Sequence, residues 1–165
     1  MQLIVVRHAK SSWSDLSIRD HDRALARRGI EASPRIGSWL NDRGFCPEVV
    51  MCSTARRAVE TWELISRQLP EPKSVYFVRA LYGAGHDTIL DHVRLGEHSP
   101  LLVVGHNPGI MMFAGVMLQK VPNHPKFYKF PTGATMVCDL PVPNWRSARM
   151  GIGKCRGFVV PRELS

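Results

Sequence analysis

Two histidines and a pair of arginines stand in this sequence where they could hold and transfer a phosphoryl group. His8 lies in Arg7-His8-Ala9-Lys10, directly after the apolar run Leu3 to Val6, and His106 lies in Gly105-His106-Asn107-Pro108, after Leu101 to Val104. A third segment, Ser53 to Thr61, follows Val49 to Cys52 and carries Arg56 and Arg57. A planar guanidinium matches two phosphoryl oxygens at once, and helix N-termini beside it add free N–H groups and partial positive charge. Neighbouring cations also disfavour the imidazolium form, so a histidine there stays neutral, below its ordinary pKa of about 6.5, and able to attack. Taken singly, each segment has a plainer reading: a surface loop for Arg7-His8, a helix cap for Ser53, a hydrogen-bonded turn histidine for His106. Together, in this order and each closing a strand, they point to one pocket at the carboxyl ends of a sheet.

The elements that must position these residues alternate in type. Leu3 to Val6 reads as a buried strand, followed by a polar loop through Ser11, Ser12, Ser14 and Asp15. A helix over about 26–43 carries Ile30, Ile36, Trp39 and Leu40 at mostly helical spacings; Gly44 ends it, and Pro34 should kink or restart it. A strand at Val49 to Cys52 leads into a helix over about 54–69, with Val59, Trp62, Leu64, Ile65 and Leu69 as its apolar stripe and Ser53 as its N-cap. Val75 to Val78 is a further strand, Gly83 to Gly85 a loop, and His86 to Leu95 a short helix with Ile89, Leu90 and Val93 inward. Leu101 to Gly105 is a strand, with Pro108 in the first turn of a helix reaching about Leu118. A Pro/Lys/aromatic loop at Pro122 to Pro131 precedes late strands at Thr135 to Leu140 and Gly157 to Val160. The alternation implies an α/β fold: a three-layer sandwich with a largely parallel central sheet flanked by helices.

At 165 residues and 44% hydrophobic content the expectation is one domain spanning 1–165. No apolar run reaches the roughly 18–20 residues of a membrane span, and Leu3 to Val6 is too short for a signal-peptide core, so a soluble cytoplasmic protein is expected. The cysteines Cys46, Cys52, Cys138 and Cys155 show no zinc-site spacing and read as reduced, mostly buried thiols. A net charge of +8 favours anionic partners, but the basic residues are dispersed, with no basic tail and no recognised nucleic-acid motif. The expectation is neither nucleic acid nor membrane as partner, and neither cofactor nor metal.

These residues resemble the histidine phosphatase superfamily, the phosphoglycerate-mutase-like fold, over nearly the whole chain. Arg7-His8-Ala9 is similar to the family's Arg-His-Gly opening, and Ser53, Arg57, Ala58 and Thr61 match Ser-x-x-x-Arg-Ala-x-x-Thr in register. The resemblance implies that His8 becomes phosphorylated, that Arg57 rather than Arg56 clamps phosphate, that His106 is the second histidine, and that Ser14 is a phosphate-binding polar residue. The Arg-His-Ala-Lys-Ser opening and the stretch Asp20, Arg23, Leu25, Arg28, Gly29 look like the SixA-type phosphohistidine phosphatases. Ester-hydrolysing relatives carry a glutamate as general acid after the third strand. Here that stretch is Arg79-Ala80-Leu81-Tyr82-Gly83-Ala84-Gly85, with no carboxylate before Asp87.

The implied reaction has His8 attack phosphorus while Arg7, Arg57 and His106 hold the equatorial oxygens, with Ser14 assisting in substrate binding. The substrate is a phosphohistidine-bearing protein domain or, alternatively, a small phosphoester with Asp87 or His86 as acid; a non-catalytic binding module is the remaining option. Asp87 reads more simply as a helix cap. His21, His92, His98 and His124 read as surface residues, and Trp13, Trp39, Trp62 and Trp145 as core or pocket wall.

Overall fold

The computed structural model describes residues 1–164. Its sheet has the order β3-β2-β4-β1-β5-β6, with β1 Gln2–Arg7, β2 Val49–Ser53, β3 Ser74–Val78, β4 Leu101–Gly105, β5 Thr135–Asp139 and β6 Lys154–Val159. β1, β4, β2 and β3 run parallel; β5 pairs antiparallel with both β1 and β6. Helices α1 Arg27–Asp42 and α2 Arg56–Ser66 cover one face, packed on Ile4, Val6, Val50, Cys52, Leu102 and Val104. On the opposite face α3 His86–Val93 and α4 Gly109–Met117 cover Leu3, Val5, Val49, Met51, Leu101 and Val103. The alternation of these two sets along each strand is the period-2 pleat, and both sets are apolar because both faces are covered. Among the described residues, no helix is long and apolar enough to cross a membrane.

Several local expectations change. Pro34 does not restart α1, which runs unbroken through it. The carbonyl that would have bonded Pro34's missing N–H belongs to Ile30, on the exposed side of the helix, where the loss costs least. Ile30 is for the same reason outside the core, while Ile36 and Leu40 are fully buried. α2 begins at Arg56 with Ala55 as its cap residue; the Ser53 hydroxyl instead accepts the Ala55 N–H at 3.3 Å across the turn. Asp87 is no cap either: Gly85 holds that position, and Asp87 is an exposed first-turn residue that complements the helix dipole. β3 is one of the two edge strands, and its Tyr76 and Phe77 are exposed despite their apolar character. Cys52 and Cys138 are buried, Cys46 and Cys155 half-buried, and all four are free. Trp62 and Trp145 are core, but Trp13 is 58% exposed, beneath the guanidinium of Arg23 at 3.8 Å.

Candidate active site

Register brings the two histidines together. Arg7 pairs with Gly105 at the end of the β1–β4 ladder, and the His8 N–H continues it by donating to the Gly105 carbonyl at 3.0 Å. The next residue on each strand is therefore His8 beside His106, and their ring centroids lie 4.9 Å apart. On the far side of β4, β2 stops at Ser53, whose hydroxyl hydrogen-bonds His106 Nε2 at 2.7 Å. Three adjacent parallel strands thus deliver His8, His106 and Ser53 in one row at their carboxyl ends.

Each ring is oriented by its partner. His8 Nδ1 is 2.7 Å from the Ala9 carbonyl, which can only accept, so Nδ1 carries the proton and Nε2 keeps a lone pair. Arg57 Nε donates toward that same Nε2 at 3.4 Å, a long contact that a phosphoryl oxygen can readily replace. His106 Nδ1 is buried and has no hydrogen-bond partner. Among the described residues the Ser53 hydroxyl has no hydrogen-bond acceptor besides His106 Nε2; with its proton given there, His106 carries its own proton on Nδ1, where it can be donated to an oxyanion.

α2 places Arg57, and Thr61 one turn later fastens the helix to the β1 loop. The Thr61 hydroxyl donates to the Arg57 carbonyl at 2.6 Å and accepts the Ala9 N–H at 3.0 Å. The guanidinium of Arg57 is held from the other side by Asp20, through NH2 to Oδ2 at 3.0 Å and through NH1 to the Asp20 carbonyl. Tyr82 donates its hydroxyl to the same Oδ2 at 2.7 Å and sets its ring edge against His106, centroids 5.6 Å apart. Arg7 is clamped by NH1 to the Phe130 carbonyl at 2.9 Å, and its Nε is buried and unpartnered. Buried Phe130 and Phe127 stack edge-on, so an aromatic cluster in the loop after α4 sets the reach of Arg7.

His8, Arg7, Arg57 and His106 thus converge. Ser14 does not join them by any hydrogen bond: it is exposed, and its hydroxyl bonds that of Ser12 at 2.9 Å. Asp20 was legible as the start of the SixA-like stretch but without a role, and Tyr82 only as a loop residue; no local pattern ties a Tyr to an Asp sixty-two positions away. His21, expected at the surface, is partly buried at the rim, bonding Thr54 at 2.9 Å and packing edge-on against Tyr82. Arg23 is almost wholly buried, between Trp13 and the Asp20 carboxylate at 3.7 Å. Among the described residues His86 is paired with Asp87, at 3.6 Å.

Burial, reinforced by Arg57 and Arg7, pushes His8 down to about 4. Burial, followed by His8 and Arg57, pushes His106 down to about 3. Both imidazoles are neutral at pH 7. The acid limb of kcat/KM, which reports the free enzyme, should accordingly fall with an apparent pKa near 4 instead of near 6.5. The same shifts destabilise the fold in acid: between about pH 6.5 and 4 the unfolded chain binds protons that the folded one refuses, so stability falls as pH drops through that window. A pH–rate profile and thermal melts over pH 4 to 8 check both; an acid limb at 6.5 would contradict the buried, cation-flanked site.

A sequence profile of the histidine phosphatase superfamily (branch 1) matches residues 3–81. An uncharacterised protein of Mycobacterium tuberculosis is 34% identical over 165 residues, covering 95% of this chain and all of its own. The chain belongs to the histidine phosphatase superfamily. Its fold is shared end to end with a SixA protein from Nakamurella multipartitia, at TM-score 0.80 and 28% identity over 97% of this chain and 95% of the other. A protein histidine phosphatase SixA also superposes, at TM-score 0.76 and 22% identity over 99% of both chains. The family and the whole-chain structural match, taken together, make this protein a SixA-type phosphatase. In this frame Ala9 stands where the Arg-His-Gly opening has glycine, and it is buried with its N–H on Thr61.

Proposed function

We propose that this protein removes phosphoryl groups from phosphohistidine in a partner protein, through a covalent phosphohistidine at His8. His8 Nε2 attacks phosphorus in line, forming the new N–P bond as the substrate's own P–N bond breaks. Arg57, Arg7 and His106 Nδ1 neutralise the equatorial oxygens. Water then attacks the phosphorus, the bond to Nε2 breaks, and inorganic phosphate leaves, so the cycle consumes one water. The likeness to the SixA protein from Nakamurella multipartitia, whose own assignment as a phosphohistidine phosphatase is provisional, supports this substrate class.

The observation that carries the reading is the state of the one carboxylate held against the Arg57 guanidinium. Asp20 lies below the usual carboxylate range because the Tyr82 hydroxyl and then Arg57 bind its charged form. It is ionised at neutral pH and has no proton to give. The loop after β3 supplies Tyr82 at this place, with its hydroxyl donated to Asp20 and its own pKa raised by that bond. An alkoxide leaving group gains roughly 10²- to 10⁴-fold from a positioned acid. A phosphohistidine ring can take its proton from solvent at the far nitrogen, with a pKa near 6.5, and depart as neutral imidazole. With Asp20 ionised and the Tyr82 proton given to it, a leaving group that needs no acid from the enzyme is favoured.

The test is the wild-type enzyme without added metal on three substrates: a histidine-phosphorylated phosphotransfer domain, p-nitrophenyl phosphate and a sugar phosphate. Preference for the phosphohistidine domain by roughly 10²-fold or more in kcat/KM is expected. Faster cleavage of the sugar phosphate would replace the reading with a small-molecule phosphatase.

A further inference from the structure

Beside the catalytic residues, on the α1 side of the sheet, lies a half-open groove of about 460 Å³. Its cationic lining is Lys10, Arg28, Arg35, Lys126, Lys129 and Arg162. Among the described residues none of these forms an ion pair, whereas the exposed Arg19, Arg27, Arg56 and Arg156 all do. The single acidic residue of the groove, Glu31, is occupied by Arg27 at 2.8 Å. The groove therefore presents a nearly uncompensated positive field, and it is continuous with the site: Lys10 is two residues past His8, and the Gly133 N–H, one residue past the groove's Thr132, bonds both the Arg7 and His8 carbonyls at 3.1 Å.

The backbone under these cations is fixed. Gly29 presses α1 so closely against Lys10 that a Cβ there would run into the Lys10 carbonyl, and the Ala26 N–H bonds that carbonyl at 2.8 Å. Along Lys126 to Phe130 the phenylalanines Phe127 and Phe130 are buried and the lysines face outward. The cations themselves are long, exposed side chains around a shallow opening, with none of the buried polar groups that would build a pocket for one small anion. Exposed, like-charged flexible arms on a fixed frame suit a macromolecular surface of opposite sign.

We infer that this groove docks an acidic surface of the phosphoprotein substrate and steers its phosphorylated histidine onto His8. The inference rests on the proposed phosphohistidine activity. The field supplies encounter rate and orientation, so its effect appears in kcat/KM and weakens as salt screens it. It adds nothing for a substrate too small to span from His8 into the groove.

The triple variant Arg28→Glu/Lys126→Glu/Arg162→Glu tests this. All three positions are exposed, and a glutamate at 28 lies in the first turn of α1, where negative charge is favourable. On an acidic, histidine-phosphorylated phosphotransfer domain, kcat/KM should fall at least about ten-fold with a flattened salt dependence. On phosphoramidate, a small P–N substrate, it should be unchanged, which also shows that the variant is folded. If the variant matches wild type on the domain, docking through this groove is overturned while the phosphohistidine activity stands. If wild type hydrolyses phosphoramidate but not the domain, the protein substrate fails and docking fails with it. If instead inorganic tripolyphosphate inhibits wild type but not the variant while the domain is unaffected, the groove takes a small polyanion and the inference is overturned.

Discussion

His8→Ala should lose phosphatase activity by roughly 10⁴-fold or more, and with it all covalent labelling by a radiolabelled phosphohistidine domain. The size follows from removing the nucleophile itself, after which only electrostatic binding of the phosphoryl group remains. Under the proposed mechanism the geometry favours His8 over His106 as the attacking ring. His8 Nδ1 is committed to the Ala9 carbonyl, so its Nε2 is unprotonated and faces Arg57. His106 has its Nε2 on Ser53 and its free nitrogen is the Nδ1 donor. His106→Ala should therefore retain labelling at a reduced rate, losing about 10²- to 10³-fold as one oxyanion donor disappears. Rapid-quench labelling of the two variants separates the roles; a labelled His8→Ala protein would assign the nucleophile elsewhere. His8 is buried but lies at the strand end, beyond the Leu3 to Val6 core, and a thermal melt of each variant checks that both are folded.

Much of this was readable before any coordinates. The apolar runs Leu3 to Val6, Val49 to Cys52 and Leu101 to Val104 in β1, β2 and β4 announce a sheet covered on both faces, and the three chemical motifs sit at their ends because parallel βα units all turn at the same edge. The family resemblance, through the register of Ser53, Arg57, Ala58 and Thr61, singles out Arg57 over Arg56: the former is buried against His8 and the latter pairs with Glu60 at the surface. What the residues did not disclose are links across the chain. Asp20 and Tyr82 meet through a loop and a 3-10 turn that have no period to read, and the capping role expected of Ser53 went to a turn because its hydroxyl is shared with His106. Strand β3 is legible as a strand, but the exposure of its Tyr76 and Phe77 shows only once the strand is placed at an edge of the sheet. The polar segment around Ser14 gives no periodic signal at all, and the structure leaves it bonded to itself.

Arg57→Ala should cost about 10²- to 10³-fold in kcat, on the scale expected of His106→Ala and smaller only than the loss in His8→Ala. Arg57→Lys should recover little of it, because a point charge cannot bridge Asp20 and a phosphoryl oxygen together as the planar fork does. The substitution has a second, opposite signature. Arg57 is among the causes that hold both His8 and His106 down, behind burial in each case. Removing it should move the acid limb of kcat/KM upward toward 6.5, while burial keeps it below that value. Asp20→Asn makes the complementary case: it removes a charge that pulls the His8 pKa up, so its acid limb should move downward while kcat falls through a loosened guanidinium. Opposite pH shifts with parallel losses of rate identify Arg57 as the group that both binds phosphate and tunes the nucleophile, with Asp20 positioning it. Equal, unshifted profiles in the two variants would reduce Arg57 to a structural tie between α2 and the Asp20 loop.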